Sequence, residues 1–455
     1  MNFSDEHAAP QRSSRLAGLL LLLIVSLSAL IQFNVVARTE VDFPLRSDAG
    51  DYFTYAYNLH HHGVYSRAHP SGEGVAASIP VPDKVRSPGY PLFLAMVGAP
   101  EPTDAYLRRV SLIQAGLGVL SVWLIYLVAA RFVGRNWALP VALLTALSPH
   151  LATISTYLLT ESLFFFLLLA SIYSLLRAVD SQGRWLYILT GLLWGLTSLV
   201  RPTAELLPPV LLVAVLALPR LRKFHLSALL AFACFAAVLA PWVIRNQSDS
   251  VNKSGPDLMV LTLLHGSYPD FMYEGRAQSF GFPYRFDPDS KKISRDLPTV
   301  LKHIADRFRA EPATYTRWYL FGKPGYFLSW GNVQGWDVFI YPVKHSPYFE
   351  NRGFAAIRFF SLTLHWPLMV LGLVGAALVW LRPQALMLDD RAARAATIVA
   401  LVVAYAIAFH IIVAPFPRYG IPFRPLLFAL AVVAARAMSL HLLRHLRERK
   451  TAKVT

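Results

Sequence analysis

The sequence is short of charge and nearly free of cysteine. Of 455 residues, 15% are charged and 55% hydrophobic, whereas a soluble domain carries about a quarter charged residues. The single cysteine, Cys234, sits inside an apolar run. The chain therefore forms neither an intrachain disulfide nor a thiolate metal cluster. It has no P-loop, no G-x-G-x-x-G before a helix and no internal repeat, so nucleotide-driven transport has no support. The missing charge is concentrated in long uncharged stretches, which excludes a soluble fold.

What is present is a series of apolar runs. Leu16 to Ala37 holds no charge over about 22 residues, enough to cross a hydrocarbon core of roughly 30 Å. A signal peptide has a shorter apolar core of about 7–15 residues, so this run reads as an anchor. Further runs lie near 110–130, 137–150, 157–176, 185–200, 204–219, 224–244, 358–381, 395–414 and 419–441. In lipid the backbone must satisfy its own hydrogen bonds, so runs of this kind are helices. The expected fold is an all-α integral membrane protein with about ten transmembrane helices.

Lys and Arg set the expected orientation, because cytoplasmic loops hold them in excess. With the N-terminus inside, the inner segments carry Arg12 and Arg15; Arg131 and Arg135; Arg177 and Arg184; Arg220, Arg222 and Lys223; Arg382, Arg391 and Arg394; and a basic tail from Arg444 to Lys453. The short outer turns carry almost none beyond Arg201 and Arg418. This alternation predicts an even number of spans and both termini cytoplasmic. It also accounts for most of the net charge of +16 as topology and contact with anionic lipid rather than nucleic-acid binding.

Two long segments then fall outside, near 38–109 and 245–359. The expected organisation is a catalytic transmembrane module over 1–244 that includes the first segment. An extracytoplasmic subdomain over 245–359 follows, with an amphipathic stretch from Leu297 to Arg309. C-terminal helices and a basic tail over 360–455 complete it. In the first segment, Ser47 and Gly63 suit the N-cap and C′ positions of a helix of about four turns. Asp48 and Asp51 would share one face, with Tyr52, Tyr55 and Leu59 on a neighbouring stripe at the membrane interface. Acidic residues in a first turn are often explained by the helix dipole. His60, His61 and His62 read as a polar helix end, and no metal site is expected from them. The outer turns, however, gather further charge beside apolar spans: Arg86, Glu161, Arg201, Glu205, Arg245 and Arg418. Ionisable groups there are costly unless they line a cavity or pair.

Six stretches occur in an order that resembles a known family. They are Asp48-Ala-Gly-Asp-Tyr52 followed by Gly63-Val-Tyr65, Arg86-Ser-Pro-Gly-Tyr-Pro-Leu-Phe-Leu94, Leu159-Thr-Glu-Ser-Leu-Phe164, Arg201-Pro-Thr203 with Leu207-Pro208, Pro241-Trp-Val-Ile-Arg-Asn246, and Arg418-Tyr-Gly-Ile-Pro422. Together they are similar to the C-type (GT-C) membrane glycosyltransferases, in the bacterial branch of protein mannosyltransferases and aminoarabinose transferases. The resemblance implies transfer of a hexose or pentose from a polyprenyl-phosphate carrier to an acceptor on the far side of the membrane. That acceptor would be a glycolipid, a cell-envelope polymer or a protein. It implies Asp48 as the catalytic carboxylate, with Tyr52 matching the family's tyrosine, and Arg86 facing the carrier phosphate. The family's aminoarabinose branch has a second acidic place where this chain has Ala49. Asp51 is therefore left with three roles open: catalysis, binding of a divalent cation, or exposure to water.

The chemistry agrees with this resemblance. A phosphate leaving group gains negative charge, and guanidinium groups grip oxyanions bidentately while staying charged. Arg86, Arg201, Arg245 and Arg418 are the candidates. Glu161, Glu205 and Tyr419 are expected to support them, the two glutamates by pairing with a nearby arginine. A lipid-linked sugar flippase or transporter is the competing reading, and would place charges near mid-membrane.

Overall fold

The computed structural model describes residues 8–68, 80–217, 223–252 and 257–451. Arg220, Arg222 and Lys453, counted in the charge alternation, lie outside the described residues. Along the chain run α1 (Ala8–Arg38), β1 (Glu40–Val41), α2 (Ser47–His62), α3 (Gly89–Met96), α4 (Asp104–Ala130), α5 (Arg135–Ala146), α6 (Pro149–Thr153), α7 (Glu161–Ser181), α8 (Arg184–Val200), α9 (Leu207–Ala217) and α10 (His225–Gln247). Short helices follow: α11 (Leu258–Ser267), α12 (Ser290–Ile293), α13 (Leu297–Ala310), α14 (Pro312–Arg317) and α15 (Lys323–Leu328). Then come β2 (Val343–His345), α16 (Pro347–Glu350), α17 (Arg352–Leu381), α18 (Asp390–Ile412), α19 (Pro417–Gly420) and α20 (Arg424–Thr451).

Among the described residues each of the ten apolar runs lies mainly in helix, and the chain is an all-α membrane protein. Seven helices among the described residues are long and apolar enough to cross a membrane, or eight if the bent pair of α5 with the segment Pro149–Thr156 counts as one span. Arg184–Val200 and Pro202–Ala217 are shorter than a full span. The bend of 56° has a local cause. Ser148 is extended at φ −67°, ψ 113° because Pro149 follows it, and a proline disfavours helical geometry in the residue before it.

Close helix approach organises the bundle. A Cβ added at Gly191 of α8 would lie 2.1 Å from the carbonyl oxygen of Ala231 in α10. One at Gly375 of α17 would lie 2.2 Å from that of Leu430 in α20. Small residues of this kind let helices pack where lipid offers no hydrophobic drive to associate. Buried polar side chains add interhelical bonds. Gln114 of α4 accepts from Tyr90 (2.8 Å) and donates to the Tyr157 carbonyl (2.8 Å). Gln32 of α1 accepts from Ser155 (3.1 Å).

The two long connections meet on one end of the bundle. β1 pairs antiparallel with β2, Glu40 opposite His345, and Asp83 bridges to Asn252. The second connection is docked on α18 by Lys323, which is fully buried. Its Nζ donates to the carbonyls of Ile411 (2.7 Å), Ile412 (3.2 Å) and Val413 (3.1 Å), groups a helix end leaves unpaired. The amphipathic stretch forms α13 as expected.

Two local expectations are corrected. Ser47 does not cap α2: Arg46 occupies the cap position without a side-chain bond, and Ser47 starts the helix at φ 49°. The tight turn from Phe43, also left-handed at φ 51°, leaves Ser47 no geometry to reach back. Tyr55 does not face the interface either. It is fully buried and its hydroxyl donates to Asp83, because Tyr65 and Asp83, later in the same connection, cover that side of α2. Gly63 closes the helix at φ 65° as expected.

Substituting Gly375 by Val should lower the thermal unfolding temperature of the detergent-purified protein. An alanine, which intrudes less, should lower it by a smaller amount. An unchanged melting curve for Gly375→Val would show that α17 and α20 are not in contact there.

Candidate functional site

The site is assembled around the first turn of α2. The Asp48 carboxylate is shared: Oδ1 accepts from Arg86 Nη2 at 2.6 Å and Oδ2 from Arg418 Nη2 at 2.5 Å. Arg86 precedes α3 and Arg418 lies in α19, so three chain segments converge on one carboxyl group. Arg86 also grips Asp51 through Nε (3.1 Å) and Nη2 (2.8 Å). The Asp51 carboxylate has Arg67 at 3.9 Å as well. The i, i+3 spacing of Asp48 and Asp51 lets one guanidinium span both. The Asp48 side chain keeps 22% of its surface exposed, Arg86 16% and Arg418 18%.

A second pair adjoins the first. Glu161, at the start of α7, and Arg201, just after α8, are both buried and lie 3.3 Å apart. The Arg201 guanidinium sits 4.7 Å over the ring of Tyr419, and that of Arg418 sits 5.1 Å over the same ring. Tyr419 thus separates the two cations while attracting both. Arg86 lies 5.3 Å over the Tyr52 ring.

Burial alone would raise the Asp48 carboxyl, but Arg418 and Arg86 outweigh it and hold it well below the usual carboxylate range. Its ionised form therefore stabilises the folded protein at all pH values above the unfolded carboxylate pKa of about 3.9. That contribution is lost as pH falls through the lower folded value. Burial pushes the Tyr52 hydroxyl up to about 12, with Arg86 opposing, so it stays protonated. Burial disfavours the Arg86 charge, and Tyr52, Asp48 and Asp51 more than restore it.

The structure thus brings together Asp48, Asp51, Tyr52, Arg86, Glu161, Arg201, Arg418 and Tyr419. Two expected members are elsewhere. Arg245 spends its guanidinium on backbone, donating to the carbonyls of Asp83 (2.5 Å) and Tyr65 (3.0 Å) between the rings of Tyr65 and Trp242. That bonding locks the first long connection to the end of α10. Glu205 is exposed, and Arg201 pairs with Glu161 instead. Among the described residues no group of three or more His, Cys, Asp and Glu side chains could hold a metal ion.

One neighbour was not legible in the sequence. Tyr341 is buried beside the cluster: burial raises its hydroxyl, Asp48 raises it further and Arg418 opposes. Tyr341 is held there by Tyr157, whose hydroxyl donates to its carbonyl at 3.1 Å, just ahead of the pairing of β2 with β1, and no local motif marks it. An open cleft of about 770 Å³ adjoins the start of α2, lined by residues 42–47 with Pro102, Asp104 and Leu107.

A membrane-embedded helical bundle with a carboxylate–arginine cluster at one end is the class of protein these features define. Residues 104–243, under a third of the chain, match the family model of dolichyl-phosphate-mannose-protein mannosyltransferase. The resemblance drawn from the motifs is borne out over that stretch. No curated protein matches in sequence. Among solved structures, the oligosaccharyltransferase of Archaeoglobus fulgidus in its apo form is 14% identical, covering 94% of this chain and 52% of its own, with a TM-score of 0.48. The same organism's AglB with an inhibitory peptide and dolichol-phosphate is 15% identical over 94% and 52%, at 0.47. ArnT from Cupriavidus metallidurans bound to undecaprenyl phosphate is 12% identical over 92% and 77%, at 0.37. The chain spans about half the length of the archaeal oligosaccharyltransferase.

Breaking the buried pair tests the second half of the cluster. Glu161→Gln should destabilise the protein by about 3–5 kcal/mol, because it leaves Arg201 buried and unpaired. The double variant Glu161→Gln, Arg201→Gln should lose less than the sum of the single variants in equilibrium unfolding. Simple additivity would show that the two groups do not interact.

Proposed function

We propose that this protein is a glycosyltransferase. It moves a sugar from a polyprenyl-phosphate carrier to an acceptor at the extracytoplasmic face of the membrane that holds the two long connections. Both termini then lie in the cytoplasm, as the Lys and Arg alternation requires. Asp48 is the general base, and Arg86, Arg201 and Arg418 face the carrier phosphate. The observation that carries this reading is the Asp48 carboxylate shared between Arg86 and Arg418. The match of residues 104–243 to a family named for a lipid-phosphate-linked sugar donor supports it.

The step is a single displacement. An acceptor hydroxyl or amine attacks the anomeric carbon, and a new bond forms to that carbon. The bond from carbon to phosphate oxygen breaks, and its electron pair stays on the phosphate. The acceptor proton passes to Asp48. The configuration at the anomeric carbon inverts. No nucleotide enters, since the carrier brings the sugar already activated.

The low basicity of Asp48 gives the donor a second role. A carboxylate held far below the operating pH is a weak base. Carrier phosphate competes with Asp48 for the same two guanidiniums. Once they turn to phosphate, burial is no longer opposed and the carboxyl becomes more basic. Base strength is then supplied only when the donor is in place.

Three measurements follow from that coupling. Asp48→Asn should lower the rate of transfer by about 10²–10⁴-fold while binding polyprenyl phosphate as tightly as the wild type or more tightly. Arg418→Gln should weaken that binding. The assay uses purified protein, a polyprenyl-phosphate sugar and an envelope membrane extract, with mass spectrometry of released carrier and glycosylated product. Wild-type turnover by Asp48→Asn would remove the base from this mechanism, and intact carrier crossing a vesicle bilayer without sugar release would point to a flippase. In pH profiles, kcat/KM reports the free enzyme and kcat the bound complex. The acid limb of kcat should therefore lie at higher pH than that of kcat/KM, and coincident limbs would contradict the coupling.

A further inference from the structure

Arg424 is a buried cation outside the Asp48 cluster. It opens α20 and is 3% exposed. Its Nη2 donates to the Ser329 carbonyl at 2.7 Å, while Nε and Nη1 have no hydrogen-bond partner. A guanidinium stays charged at any physiological pH. Leaving its charge desolvated and its donors unmet inside a membrane bundle is strongly unfavourable.

The neighbours do not relieve it. His150 and His365 each donate through Nε2 to a carbonyl, that of Trp330 at 2.8 Å and of Leu328 at 2.7 Å. The nearby carboxylate, Asp337, is taken by Arg358 at 2.5 Å and by the Trp330 indole. Arg358 and Asp337 cancel, and the Arg424 charge is left over. Beside it is a crevice of about 20 Å³ lined by Arg424, His150, His365 and Trp330, with Leu144 and Phe360 among its apolar walls. A cavity needs roughly 10–15 Å³ to hold one water-sized occupant.

We propose that this crevice binds one small monovalent inorganic anion of the halide class, chloride under physiological conditions, with Nε and Nη1 of Arg424 as its donors. The charge calls for an anion, the small volume favours a compact one, and the apolar walls disfavour strongly hydrated ions. The bound anion ties the start of α20 to the α5–α6 bend, to α17 and to the segment 328–330. This site owes nothing to the transferase reading, and its test does not read activity.

The test uses the full-length protein in detergent, in sodium gluconate exchanged for sodium chloride or bromide at constant ionic strength. An anion that binds only the folded state raises the unfolding temperature with its concentration, here by about 2–4 °C. Chloride NMR should show excess line broadening that bromide reverses. Arg424→Gln should abolish both effects. Identical melting in gluconate, chloride and bromide, with no chloride broadening beyond that of protein-free buffer, would mean that the crevice holds water alone. A chloride response that Arg424→Gln retains in full would put the anion elsewhere. Either result overturns the proposal, and the wild-type linewidth decides it if the variant does not fold.

Discussion

The Asp48 carboxylate holds two guanidiniums from segments far apart in the chain, and the arrangement of this end of the bundle depends on that contact. Arg86 reaches it from the segment ahead of α3, Arg418 from α19. Each cation is mostly withdrawn from water, so each needs the anion as much as the anion needs them. The contact therefore ties the first long connection to the C-terminal helices, and with them the cleft beside α2 to the Glu161–Arg201 pair. Take away the carboxylate and two cations face each other across a poorly solvated gap.

The same contact creates a tension useful for chemistry. A carboxylate stabilised this strongly is a poor proton acceptor, and arginines occupied this fully are poor anion receptors. In the proposed mechanism both deficits would disappear together, the carrier phosphate satisfying the guanidiniums and freeing the carboxylate. The rings of Tyr52 and Tyr419 lie against these cations, an attraction that does not depend on the carboxylate.

Much of the site was legible from residue types. Asp48 and Asp51 at i, i+3, and arginines beside apolar spans, are costly in a membrane unless they meet one another. That cost is what made Arg86, Arg201 and Arg418 readable as a group. The same reasoning failed for Arg245, because backbone carbonyls satisfy a guanidinium as well as a phosphate does, and nothing local tells the two apart. It expected Glu161 and Glu205 each to pair with a nearby arginine; Glu161 does so with Arg201, whereas Glu205 is exposed. Tyr341 left no local signal at all.

The apolar runs by themselves determined that this chain lies in a membrane as helices, since a backbone in hydrocarbon has almost no other way to satisfy its hydrogen bonds. Their count in sequence did not settle how many cross, because α8 and α9 are short and Pro149 breaks one run into two. Only the tertiary structure decided which charges meet. Ion pairing depends on distances of a few ångströms between segments hundreds of residues apart. Such distances are set by how helices pack, through close contacts such as Gly375 against Leu430, and not by the residues on either side of a charge.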